Sequence, residues 1–75
     1  MNCIELKCAR IRCKKSMDDM AKAIGKHEST WAMKERGEIA ISLEEAAIIG
    51  RELNLTEQEF IAIFFDTILP FRNDI

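Results

Sequence analysis

The sequence predicts an all-α protein, a compact bundle of five short helices. Its apolar residues recur at i, i+3, i+4 and i+7, the period of a helix with one buried face, rather than in the alternation of a strand. Three hydroxyl residues each stand three positions before an acid: Ser16 and Asp19, Ser42 and Glu45, Thr56 and Glu59. That spacing is a capping box, in which each side chain satisfies a backbone N–H left without a partner at a helix start. Gly25, Gly37 and Asn54 follow apolar stripes, where helices commonly end in a left-handed residue.

Helix 1 is predicted over residues 4–14. Leu6, Ala9, Arg10 and Cys13 fall on one stripe. A charge on a core-facing stripe needs a partner, and Glu35 is the candidate. The other reading has Arg10 reaching solvent along its apolar stem. Either way the residue serves stability rather than chemistry. Helix 2 is predicted over about Met17–Ile24, with Met17, Met20, Ala21 and Ile24 as its stripe and Ser16 as its cap. Gly25 makes the turn. Helix 3 follows over about Glu28–Arg36, closed by Gly37, with Trp31 facing the core and its indole N–H wanting a partner. Helix 4 starts after the cap Ser42. Leu43, Ala46, Ala47, Gly50 and Leu53 are its predicted inner stripe, with Ile49 bordering it and Ile48 further round.

Helix 5 begins after Thr56 and is apolar nearly all round. Phe60, Ile63 and Phe64 make one stripe, and Ile61, Phe64, Phe65 and Ile68 the adjoining one. Such a helix is buried on more than one face. Ile61, Phe65 and Ile68 are therefore the expected interface of a homodimer, and residues 56–75 its dimerisation element. The alternative is that the tail Leu69-Pro70-Phe71 folds over them.

Seventy-five residues make a single domain near the lower size limit for a self-sufficient core. The net charge of −2 is unevenly spread. Residues 1–37 hold nine Lys and Arg against five acids, a net of +4; residues 38–75 hold two against eight, a net of −6. A basic half fits a nucleic-acid partner, because local field matters more than total charge. It also fits an ordinary dipolar surface. No apolar run approaches a membrane span, and Glu5, Lys7, Arg10 and Arg12 interrupt any signal-peptide core, so the expected location is the cytosol. Cys3, Cys8 and Cys13 recur every five residues, the spacing of neither a metal knuckle nor a disulfide framework. Cys13 is read as a small core residue and the others as reduced thiols. Neither a nucleophile–base motif, a glycine-rich phosphate loop nor a metal-ligand cluster is visible, so no enzyme, cofactor or metal is expected.

The stretch Ser16–Gly37 carries a more specific pattern. Ser16, the acids Asp18 and Asp19, the small Ala21, the turn residue Gly25, the pair Ser29-Thr30 and the closing Glu35-Arg36-Gly37 keep a fixed spacing. Two helices joined by a short turn containing Gly form a helix-turn-helix. At these residues the chain resembles the helix-turn-helix family of Cro and phage repressors, often called the XRE family. The resemblance extends over about Leu6–Phe60. Met17 stands where a polar side chain is usual in that family, Lys26 where a buried Val-like residue is usual, and His27 where a Ser or Thr cap is usual.

The resemblance implies a lambda-repressor-like DNA-binding domain, with the helix-turn-helix at residues 16–37. It also implies a sequence-specific transcriptional regulator of the phage or mobile-element repressor type, and it favours the Arg10–Glu35 pair. Helix 3 would lie in the major groove of double-stranded DNA. Glu28, Ser29, Ala32 and Met33 would face base edges: Glu28 to cytosine N4, Ser29 to several edges, Ala32 and Met33 to thymine methyls. Glu28 can equally be a dipole-compensating acid at a helix start. Lys14, Lys15, Lys26, Lys34 and Arg36, with the backbone N–H groups around Met17, would hold phosphates. The alternative reading is a protein-binding regulator, such as an antitoxin-like or antirepressor module.

Overall fold

A computed structural model describes residues 1–65. These form five helices: α1 (Cys3–Arg12), α2 (Met17–Ala23), α3 (Glu28–Glu35), α4 (Leu43–Glu52) and α5 (Glu57–Phe64). No strand occurs among the described residues. Each of the three expected capping boxes is closed in both directions. The Ser16 hydroxyl accepts from the Asp19 N–H at 3.0 Å, and Asp19 accepts from the Ser16 N–H at 2.9 Å. Ser42 with Glu45 and Thr56 with Glu59 repeat the pattern.

The first four helices end alike. Lys14, Gly25, Gly37 and Asn54 all have positive φ. In each case the residue after it sends its N–H back to a carbonyl five residues earlier: Lys15 to Arg10, Lys26 to Ala21, Glu38 to Met33 and Leu55 to Gly50. This is the Schellman arrangement, which satisfies carbonyls that the helix itself leaves open. At Gly25 and Gly37 the absence of a Cβ removes the steric cost of that conformation. Lys14 adopts it with a side chain, at φ 58°. Helix 1 therefore stops two residues short of the expected end, at a position with no sequence signal for a stop.

The core is built from Leu6 and Ala9 of α1, Met20 and Ala21 of α2 with the adjoining Ile24, Trp31 of α3, Ile49 of α4 with the adjoining Leu53, and Ile63 of α5. Each fully buried large apolar side chain contributes roughly 1.5–3 kcal/mol. Cys13 packs on this cluster, and its thiol donates to the Leu53 carbonyl at 3.0 Å. The Asn2 N–H donates to the Ile63 carbonyl at 2.7 Å, tying the start of α1 to the end of α5.

The inner face of α4 differs from the one expected. Leu43 is 76% exposed and Ala47 is exposed, whereas Ala46, Ile49 and Leu53 are buried. The true stripe is Ala46, Ile49, Gly50 and Leu53, an unbroken i, i+3, i+4, i+7 set, and Ile48 packs at its edge. Leu43 lies within about 20° of Gly50 by the helical period, but as the first residue of the helix it is left outside the core.

Candidate nucleic-acid interface

The helix α3 is fixed by its inner face. Trp31 is fully buried, and its indole N–H donates to Glu35 Oε2 at 2.6 Å. The same carboxylate accepts from Arg10 Nε at 3.1 Å and from Arg10 Nη2 at 3.1 Å. The remaining guanidinium nitrogen of Arg10, Nη1, donates to the Lys15 carbonyl at 2.9 Å. One buried cation thus clamps α3 to α1 and holds the turn that leads into α2. The expected Arg10–Glu35 pair is present, and it also answers the need of the Trp31 indole.

The outward face of α3 carries Ser29, which is exposed, and Ala32 and Met33, both half-buried; Glu28 is exposed at the start of the helix. Glu28 opens the helix after His27, whose side chain makes no cap hydrogen bond. The helix starts there without the hydroxyl that caps α2, α4 and α5.

The expected phosphate-contacting residues fall into distinct groups. Lys14 and Lys26 are exposed. Lys15 is half-buried and lies 3.6 Å from Glu52. Arg36 is exposed and pairs with Glu38 at 2.5 Å. The hydrogen bond and charge of Glu38 raise the guanidinium pKa, and those of Arg36 lower that of the Glu38 carboxyl. Met17 is half-buried and packs against the core. Its helix start already carries the carboxylates of Asp18 and Asp19, and the Asp19 N–H is used by Ser16.

Lys34 does not belong in this set. It is 7% exposed, and its ammonium donates to the Ala40 carbonyl at 2.8 Å and to Glu45 Oε1 at 3.0 Å. Its role is to fasten the α3–α4 connection to the start of α4. The physical reason is register: Lys34 lies three residues after Trp31, on the inner side of the helix.

Lys7 was not foreseen. It is exposed and lines an open groove of about 320 Å³ with Cys3, Ile4, Met17, Ala32, Glu35 and Arg36. It sits one turn before Arg10, the residue that reaches α3, and this shared side of α1 was the available signal. The groove runs along α3 and adds Lys7 to the cations around its outer face.

The expectation for α5 changes in its premise. Ile61 and Phe65 are half-buried, and the Phe60 ring lies 4.8 Å from Phe64 and 6.0 Å from Phe65. Ile68 lies outside the described residues. Among the described residues, the strongly exposed large apolar side chains are instead Ile4 at 77%, Leu43 at 76% and Ile11 at 56%.

Among the described residues, no group of three or more His, Cys, Asp or Glu is placed to hold a metal ion. None of the described helices is long and apolar enough to cross a membrane. Comparison of the chain with protein-family models, with curated proteins and with solved structures finds no match.

Proposed function

We propose that the chain is a lambda-repressor-like regulator that binds double-stranded DNA with α3 in the major groove. The observation that carries this reading is the division of α3. Its inner face is locked by Trp31, Lys34 and Glu35, while Glu28 and Ser29 are exposed, exposed Lys26 and Arg36 stand at its two ends, and exposed Lys7 lines the groove along it. A rigid helix with a free face and cations on its flanks meets the demands of groove entry. Base contacts fall to Glu28 and Ser29, with Ala32 and Met33 offering apolar contact to thymine methyls. Phosphate contacts fall to Lys7, Lys14, Lys26 and Arg36. A two-fold pair of copies would read a near-palindrome, its half-sites about 34 Å apart.

A second reading has its own support. Lys15, Lys22 and Arg36 each stand beside an acid, Glu52, Asp18 and Glu38. The groove beside α3 holds Ile4, Met17 and Ala32. Partly neutralised charge around an apolar groove suits a protein partner. Selection of bound duplexes from a randomised pool at low salt separates the two. Enriched sequences with steep salt dependence support DNA binding; no bound duplex, with tight binding to a protein, supports the alternative.

A further inference from the structure

Helix α1 is apolar on two opposite sides. Leu6, Ala9, Arg10 and Cys13 face the core. Ile4, Cys8 and Ile11 lie within about 60° of one another on the opposite side, by the helical period. Ile4 is 77% exposed, Ile11 56%, and Cys8 is exposed. An i, i+4, i+7 stripe of this kind on a free helix face is a helix-packing surface with no partner inside the subunit.

We infer that this face pairs with the same face of a second copy, the two α1 helices running antiparallel about a two-fold axis at Cys8. Charge complementarity selects that occupant. Glu5 and Arg12 stand seven residues apart on one flank of the stripe, the side that also borders the groove with Gln58 and Ala62. In an antiparallel pair like flanks meet. Glu5 then faces Arg12 of the other copy, and Arg12 faces its Glu5. Ile4 packs on the other copy's Ile11 in the same arrangement, and the midpoints of the two pairings fall half a residue either side of Cys8. The self-complementary surface is what a two-fold contact requires. Arg12 already lies 3.8 Å from Glu59 within its own subunit, with both side chains largely exposed, and its guanidinium has further donors for a second carboxylate.

One helix pair buries less than the ~800 Å² per partner of a standard interface, and Lys7 on the other flank meets its own copy. The association is therefore weak and concentration-dependent. Ile4 and Lys7 also line the groove beside α3, so this pairing and the proposed duplex contact share that flank of α1.

Sedimentation velocity of the full chain across micromolar to millimolar concentration tests the inference, with Glu5→Arg and Arg12→Glu run separately and mixed. Wild type dimerises with concentration, and each variant alone stays monomeric. The mixture forms a heterodimer, because both pairings are then Arg against Glu. Ile4→Lys and Ile11→Lys each abolish the dimer, with circular dichroism confirming that they fold. Cys8→Ser keeps the dimer but loses its crosslinking by a short bis-maleimide. A monomeric wild type at millimolar concentration overturns the inference. So does a wild-type dimer that survives the single charge reversals, or a mixture of the two variants that remains monomeric.

Discussion

The Arg10 guanidinium and the Glu35 carboxylate meet through paired nitrogens and oxygens, with Nε to Oε2 and Nη2 to Oε1 both at 3.1 Å. Both side chains are almost fully buried, and the Trp31 indole donates to the same carboxylate. A buried ion is tolerable only when its remaining bonding capacity is filled. Here the Lys15 carbonyl fills the guanidinium and the indole fills the carboxylate. Removing one partner strands the other: Glu35→Ala is expected to cost roughly 3–5 kcal/mol in urea unfolding. The double change Arg10→Met with Glu35→Leu is expected to cost less than the sum of the singles, because no unpaired charge remains. Additive losses would show that the pair does not couple the helices.

Lys34 separates structure from binding. Lys34→Ala removes the bonds to the Ala40 carbonyl and Glu45 and is expected to destabilise the fold by about 1.5–3 kcal/mol. Lys26→Ala, at an exposed site, is expected to leave the melting temperature nearly unchanged. A thermal melt in which the two variants behave alike would contradict the assignment of Lys34 to the interior.

Two helix ends fall short of their best chemistry. Lys14 holds φ 58° with a Cβ in place, and Lys14→Gly is expected to stabilise by about 1 kcal/mol. His27 starts α3 without a side-chain cap, and His27→Ser is expected to add about 1 kcal/mol by supplying one. Denaturant midpoints check both, and a fall in either would remove the argument.

Acid sensitivity follows from the capping boxes. Bonds from the Ser16 backbone and hydroxyl hold Asp19 below its ordinary 3.8, and the Thr56 backbone and hydroxyl hold Glu59 below 4.5. For Glu45, burial pushes the carboxyl up, but the Ser42 N–H, the Lys34 ammonium and the charge of Lys26 outweigh it, so it too lies below 4.5. Each folded-state pKa is below its unfolded value, so the unfolded chain takes up these protons first. The boxes therefore stabilise fully above about pH 5. Their contribution falls as pH drops through the ordinary carboxylate values to the lower folded ones. Unfolding free energy measured from pH 7 to pH 3 should show this loss. Ser42→Ala should lower stability at pH 7 and flatten the decline.

Much of this fold was legible because its signals are local. A hydroxyl three residues before an acid fixes a helix start through bonds within four residues, and all three boxes formed as read. The Arg10–Glu35 pair was legible because a charge on an apolar stripe demands a partner. Lys34 was not, since its carbonyl and carboxylate partners come from the following loop and helix, which the α3 pattern does not encode. Leu43 misled for a similar reason. Its apolarity fits a stripe with Ala46 and Ala47, and only packing decides between that stripe and the one through Ile49. The outer face of α1 was passed over because the inner stripe alone accounts for a helix in a small core. In the candidate site, the outward position of Ser29 followed from period, whereas Glu28 lies on the side of Trp31 and Glu35 by period and is exposed because it opens the helix; the pairing of Lys15 and Arg36 with acids depended on neighbours brought in by the fold.

The outer face of α3 is expected to enter a duplex. The most direct test measures binding of the wild-type chain to a randomised duplex pool, then the affinity for the selected duplex as salt is raised. Enrichment of defined sequences and a steep fall of affinity with salt are expected. Lys26→Ala and Arg36→Ala should weaken all duplexes similarly and each lower the salt slope by about one. Lys34→Ala, measured where it is folded, should leave the slope unchanged. Glu28→Ala should relax preference at one base pair per half-site if Glu28 reads cytosine, and leave preference intact if it serves the helix start. Failure of the wild-type chain to bind any duplex at low salt would contradict the claim.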